Sequence, residues 1–128
     1  MSITVESNFS GQSLKIRAVS SDYIEVSLER KDMKMSHIVF LHDGVSDLVS
    51  FFEDLSKNWK GWAGVKIWTS IEEDFQIEAV CDSTGNVTLK VALLHDVGGS
   101  DWWEYRTSLV FGSGNLENIY GLVLGLLK

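Results

Sequence analysis

The chain has 128 residues, a net charge of −7 at pH 7 and 45% hydrophobic residues, a composition typical of a folded globular protein and not of a disordered one. This length suffices for one domain with its own core, so we expect a single domain over residues 1–128. The acidic balance argues against nucleic acid as a partner, because phosphate binding requires clustered Lys and Arg.

The cysteine content and the N-terminal sequence predict a cytoplasmic protein. Cys81 is the single cysteine and cannot form an internal disulfide, which favours a reducing compartment. Residues 1–6 lack the basic segment and apolar run of a secretory signal. No apolar run approaches the ~20 residues that span a bilayer, so we expect no membrane association.

The first half of the chain has the alternating pattern of antiparallel strands. Ile3 and Val5 alternate with polar residues and predict a short first strand. Polar turns then separate three further strands, predicted over residues 14–18, 24–29 and 33–41.

A helix is predicted after these strands, because apolar residues recur there at helical spacing. They are Val45, Leu48, Val49, Phe52 and Leu55. Ser46 is expected to cap the start of this helix, and Gly61 to end it.

The second half predicts a short strand over residues 65–69 and then strands near 75–81, 87–93 and 102–111. Asn115 is expected to cap a final helix that ends near Leu127. This helix has almost no polar face, and such a helix is normally buried. It lies either within the core or against a second copy of the chain, which would form a homodimer.

The two halves repeat one order of elements, strand-strand-strand-helix, over residues of about 13–58 and 75–127. Residues 14–19 match residues 75–80 in this comparison, and the Trp-rich stretch 59–74 links the halves. We therefore predict an α+β fold, a mainly antiparallel sheet with both helices packed on one face.

The Trp-rich stretch holds three of the five tryptophans and ends in an acidic run. Tryptophan is enriched at binding hot spots, which favours an aromatic binding surface. The other interpretation is that these rings cover one end of the core, as most large aromatics do. The candidate binding residues are Trp62, Trp68, Glu72, Glu73, Trp102 and Trp103.

No pattern in the chain indicates an enzyme. His37, His42 and His95 are the only histidines and do not have the spacing of a metal site. The sequence around residues 112–114 lacks the Lys and the spacing of a phosphate-binding loop. We therefore expect no catalytic residue, no metal and no cofactor.

The sequence resembles a small uncharacterised bacterial family, a domain of unknown function, over residues of about 59–127. The resemblance is carried by a W-x-G-W-x-G-x3-W-x-S-x-E segment, here Trp59, Gly61, Trp62, Gly64, Trp68, Ser70 and Glu72. A glycine turn at Gly85 followed by Val87, Leu89 and Val91, and then Trp102 or Trp103, continues the pattern. The resemblance implies a bacterial source and one domain, and it implies no activity.

Two functions compete at this point. The first is a non-catalytic protein-binding domain, such as an immunity protein or a chaperone-like protein, that masks a basic partner. The second is a small-molecule-binding domain or an enzyme with a pocket between sheet and helices, lined by Trp62, Trp68 and Trp102. A pocket with convergent polar groups would favour the second, and an acidic surface with exposed aromatics would favour the first.

Overall fold

The computed structural model describes residues 2–8 and 11–127, which contain two antiparallel sheets of four strands each. In both sheets the strands lie side by side in the order in which they follow along the chain. The first sheet consists of β1 (Ser2–Glu6), β2 (Ser13–Ala18), β3 (Tyr23–Arg30) and β4 (Met33–Phe40). The second sheet consists of β5 (Lys66–Thr69), β6 (Phe75–Cys81), β7 (Asn86–His95) and β8 (Trp103–Gly112).

One α-helix follows each sheet. Helix α1 (Ser46–Lys57) follows β4, and helix α2 (Leu116–Leu124) follows β8 between two short 3-10 turns. The predicted α+β class with antiparallel pairing is confirmed. Each half contains four strands before its helix, one more than the predicted repeating unit, because β1 and β5 pair as edge strands with β2 and β6.

The helix starts lie where the sequence placed them, but the capping mechanism was wrong. Helix α1 begins at Ser46, its N-cap position is Val45, and no side chain makes a capping hydrogen bond there. Asn115 occupies the N-cap position of α2, also without a side-chain cap. Helix α1 ends before Gly61, at Asn58, whose backbone N–H and side-chain amide both donate to the Asp54 carbonyl, at 3.2 and 2.8 Å.

Apolar residues from both sheets and both helices form one buried cluster. On β3 the alternating residues Ile24, Val26 and Leu28 are almost completely buried, and the polar residues between them point to the other face. The helices lie against each other, and the Tyr120 hydroxyl on α2 donates to Glu53 Oε2 on α1 at 3.0 Å. The core therefore joins the two halves of the chain.

Helix α2 is only partly covered. Its residues Leu116, Ile119 and Val123 are buried, as expected for its apolar character. Leu122 and Leu124 expose 45% and 38% of their surface, and Leu127 exposes 50%. Several apolar side chains of this C-terminal segment thus remain open to solvent.

Candidate functional site

The tryptophans occupy two kinds of environment. Trp62 and Trp68 are half-buried and pack against the core. Trp62 donates its indole N–H to the Ala79 carbonyl at 3.3 Å, and Trp68 packs edge-on against Phe75 with ring centroids 5.3 Å apart. Trp59 and Trp102 expose 52% and 53% of their surface in two different loops. The stretch therefore serves both core packing and the surface.

Trp103 belongs to a polar and aromatic cluster at the rim of the core. The ring of His95 stacks on Trp103 with centroids 5.6 Å apart, and the ring of His37 meets Trp103 edge-on at 5.5 Å. All three residues lie in the core-facing register of their strands, since they are separated by even numbers from Leu93, Leu109 and Val39. Polar rings thus take the place of aliphatic side chains where the two sheets meet.

Asp74 connects His37 of this cluster to the turn that precedes β6. Its Oδ2 lies 2.9 Å from Nε2 of His37, and its Oδ1 accepts a hydrogen bond from the buried Ser70 hydroxyl at 2.7 Å. The Ser70 oxygen in turn accepts the Phe75 backbone N–H at 3.0 Å. The serine bonds to the carboxylate and not to the imidazole, so this is not the order of groups that activates a nucleophile. The arrangement instead ties β4 to the turn before β6.

Two of the three histidines come together. The rings of His37 and His95 lie 5.8 Å apart, and Nε2 of His95 is 3.2 Å from Asp101 Oδ2. His42 lies elsewhere, against Phe40. Within residues 2–8 and 11–127, no group of three or more His, Cys, Asp or Glu is placed to hold a metal ion.

A ladder of rings runs along the outer face of the first sheet, in which Tyr23 and His42 are exposed and Phe40 is half-buried. Tyr23 and Phe40 are a cross-strand pair on β3 and β4, with ring centroids 5.3 Å apart. Phe40 then contacts the ring of His42 at 6.1 Å. Ile38, two residues before Phe40 on the same face, exposes 47% of its surface. We call Tyr23, Ile38, Phe40 and His42 the aromatic ladder.

The aromatic ladder leads into a cleft of about 190 Å³ between the β4–α1 loop and the end of β5. His42 belongs to both features. The cleft is lined by Leu41, His42, Asp43, Gly44, Asp47, Trp68, Thr69, Ser70 and Ile71. We call it the acidic cleft, because Asp43 and Asp47 are its charged carboxylates and none of the described Lys or Arg residues lines it.

Backbone contacts hold the wall of the acidic cleft in place. The Leu41 N–H donates to the Asp22 carbonyl at 2.7 Å, which fixes the loop to the β2–β3 turn. Gly44 has φ +78°, and a Cβ added there would lie 3.1 Å from the Ser21 carbonyl oxygen. The loop needs glycine at this position for both reasons. The cleft is therefore formed before any ligand arrives.

Glu72 and Glu73 lie on the turn that continues from Ile71, and both are exposed. Glu73 has φ +61°, in the left-handed region, and its N–H donates to the Ser70 carbonyl at 2.9 Å. Because Ser70 and Ile71 line the acidic cleft, these carboxylates add negative charge at its border. Of the six candidates from the sequence, Trp68, Glu72 and Glu73 thus belong to this region.

The structure places the other three candidates elsewhere. Trp62 packs beneath β6, and Trp103 packs on the histidine rings. Trp102 is exposed in the β7–β8 connection. Sequence reasoning missed the aromatic ladder and both carboxylates of the acidic cleft. A signal for Tyr23 and Phe40 exists, because both stand in the outward register of strands whose other face is apolar.

The fold defines an α+β protein made of two four-stranded antiparallel meanders, each followed by a helix. The chain belongs to a family of unknown function (DUF6228), whose model matches residues 6–121. The resemblance to an uncharacterised family is thereby confirmed. No curated protein and no solved structure gives a significant match to the chain. Among the described residues, none of the helices has the length and apolar character needed to cross a membrane.

Proposed function

We propose that the protein is a non-catalytic binding domain that masks a basic surface of a partner protein, as an immunity protein or a chaperone does. We place this activity in the bacterial cytoplasm. The observation that carries the proposal is the continuity of the aromatic ladder with the acidic cleft. Exposed apolar groups beside charged residues are typical of protein interaction surfaces.

Charge supports a basic partner. The protein carries a net charge of −7, and the acidic cleft with its border contributes Asp43, Asp47, Glu72 and Glu73. Complementary charge mainly raises the rate of association, while desolvated aromatic residues slow dissociation. The two parts of the surface therefore have separable roles.

The size of the acidic cleft argues against a small-molecule site at this position and is compatible with a protein partner. Pockets for small ligands have volumes of ~300–1,000 Å³, whereas this cleft has about 190 Å³. Trp68 lines it, but Trp62 and Trp102 do not. A Trp-lined pocket between sheet and helices would have brought these three rings together.

The proposal is tested by a pull-down from the source cell with mass spectrometry, followed by titration calorimetry with the captured protein. Tyr23→Ala should weaken binding by about 2 kcal/mol if the ring is a hot spot. Trp59→Ala is the matched control, because Trp59 is also exposed, at 52% against 43% for Tyr23, but lies outside the aromatic ladder. Equal losses from both variants, or no loss from Tyr23→Ala, would contradict the proposed surface.

The charge contribution has its own test. Replacing Glu72 and Glu73 by Lys should slow association and weaken its dependence on salt, with a smaller effect on dissociation. Stopped-flow measurement at several salt concentrations separates the two rates. An unchanged association rate would show that the partner does not approach this border of the acidic cleft.

We also propose that the protein associates with a second copy through α2. The supporting observation is the exposure of Leu122, Leu124 and Leu127 on one short segment. Burying apolar area contributes about 25 cal/mol per Å². Sedimentation should therefore give a concentration-dependent mass that Leu122→Ser reduces, and a strict monomer at high concentration would refute the proposal.

A further inference from the structure

We propose that the acidic cleft binds one arginine side chain of the partner protein. This inference rests on the proposed function and specifies the chemistry that the partner must present. It concerns Asp43, Asp47 and Trp68, which come from the two halves of the chain and face one cleft.

The dimensions of the cleft suit one long side chain. Its volume of about 190 Å³ lies below the ~300 Å³ at which pockets for small ligands begin. The cleft is open on one side, so a side chain that projects from another protein can enter it. Its walls combine the apolar groups of Leu41 and Ile71 with the carboxylates of Asp43 and Asp47.

Within residues 2–8 and 11–127, no Lys or Arg side chain lines the cleft. The sequence has no Lys or Arg between Lys34 and Lys57, and none between Lys66 and Lys90. Lys66, on the strand that carries Trp68, is held by Asp54 at 2.9 Å. Nε2 of His42 lies 3.8 Å from Asp43 Oδ1 and is the side-chain nitrogen that the described lining contributes. The two carboxylates therefore face solvent with little compensation.

The N-terminus of α1 lies at the same cleft and carries partial positive charge. Asp47 in the first turn of this helix offsets that charge. Glu72 and Glu73, on the turn that follows Ile71, add two further negative charges beside the cleft. The net negative charge at the cleft thus favours binding of a cation.

Arginine fits this combination of groups better than lysine does. Its guanidinium is planar, stacks on aromatic faces and bonds carboxylates in a forked geometry. Trp68 supplies the ring, and Asp43 and Asp47 supply the carboxylates. The aliphatic part of the arginine would lie along Ile71, which exposes 60% of its surface. An apolar neighbour in the partner would then contact the aromatic ladder.

The test uses two blocked pentapeptides that have either arginine or citrulline between two leucines. Citrulline has the shape of arginine and no charge. Chemical shifts of the ¹⁵N-labelled protein are followed during titration to millimolar peptide. We expect the arginine peptide to bind about tenfold more tightly, the effect of a charge-assisted hydrogen bond. The shifts should concentrate on the Trp68 indole and on the backbone of His42 and Asp43.

A variant with Asp43→Asn and Asp47→Asn should lose this preference for arginine while remaining folded. The matched control is Asp32→Asn with Glu117→Gln, which removes the same charge from exposed positions away from the cleft. Equal affinity for the two peptides, no binding of either, or shifts outside the cleft would overturn the proposal. So would an equal loss of the arginine preference in the control.

The same variants separate this inference from the proposed function. If the captured partner is released by Tyr23→Ala but not by the Asp43→Asn, Asp47→Asn pair, the arginine site is refuted and the binding surface stands. If neither change affects the partner, both are refuted. If both changes weaken binding and the control does not, both are supported.

Discussion

Asp74 is the residue through which we would first test how the two halves are joined. Its carboxylate accepts the hydroxyl of Ser70 at 2.7 Å and lies 2.9 Å from His37 Nε2. The His37 and Asp74 side chains are only 18% and 15% exposed. The substitution Asp74→Ala removes both bonds and leaves the buried Ser70 hydroxyl without its acceptor.

The expected magnitude follows from these two bonds. A hydrogen bond to a charged group contributes about 1.5–3 kcal/mol, and a buried unsatisfied donor costs about 1–3 kcal/mol. Because Ser70 keeps its bond from the Phe75 N–H, the losses do not add fully. We expect Asp74→Ala to lower the free energy of unfolding by about 2–4 kcal/mol. Asp74→Asn keeps an acceptor for Ser70 and should lower it by about half as much.

Urea denaturation measures this change from the shift of the midpoint at constant slope. Glu72→Ala is the matched control, since this exposed residue lies on the same turn and should change stability by less than about 0.5 kcal/mol. In a double-mutant cycle, His37→Ala should cost less once Asp74 is absent, and the cost that remains should be that of its packing on Trp103. The reasoning is refuted if Asp74→Ala and Glu72→Ala unfold at the same midpoint.

Two further predictions concern ionisation and backbone strain. The hydrogen bond that Tyr120 donates to Glu53 raises the pKa of Tyr120 above its ordinary value. The contribution of this hydrogen bond to folding stability is therefore complete below pH ~10, and it is lost as the pH rises through the folded-state pKa of Tyr120. Stability curves of the wild type and Tyr120→Phe should therefore converge in alkali, and an NMR titration showing the same Tyr120 pKa in Glu53→Gln would contradict this cause. Glu73 has a left-handed backbone conformation, which costs about 1–2 kcal/mol for a residue other than glycine. Glycine avoids this strain, but ordering its more flexible backbone on folding costs about 0.5–1 kcal/mol. Glu73→Gly should thus raise the melting temperature and Glu72→Gly should lower it, and the opposite order would show that the turn is not strained.

The strand pattern could be read from the sequence because burial alternates wherever one face of a sheet meets the core. On β3, Ile24, Val26 and Leu28 show this alternation directly. The register of β3 and β4 could also have been derived. A two-residue turn at Lys31 and Asp32 pairs residues whose numbers add to 63, and Tyr23 with Phe40 is such a pair.

The contact between Asp74 and His37 could not be derived from the sequence in this way. His37 and Asp74 lie 37 positions apart in different halves, and their meeting depends on how the two sheets pack. The sequence does show that His37, His95 and Trp103 occupy core-facing positions of their strands. This pattern predicts that other residues cover them, but it does not identify those residues. The acidic cleft has the same origin, because its Asp43 and Trp68 come from separate halves.

The consecutive order of the strands has a consequence for how the chain acquires its structure. Every sheet pairing joins neighbouring segments, so each meander can grow one hairpin at a time with short loop closures. The contacts of long sequence separation, such as α1 with α2 and His37 with Asp74, form when the meanders dock. We expect this docking to come late on the folding pathway, so that His37→Ala, which removes contacts between the meanders, accelerates unfolding and leaves the refolding rate almost unchanged in stopped-flow kinetics. The contacts between the two meanders would then determine the unfolding rate and so the lifetime of the native state, while the local turns would determine the folding rate.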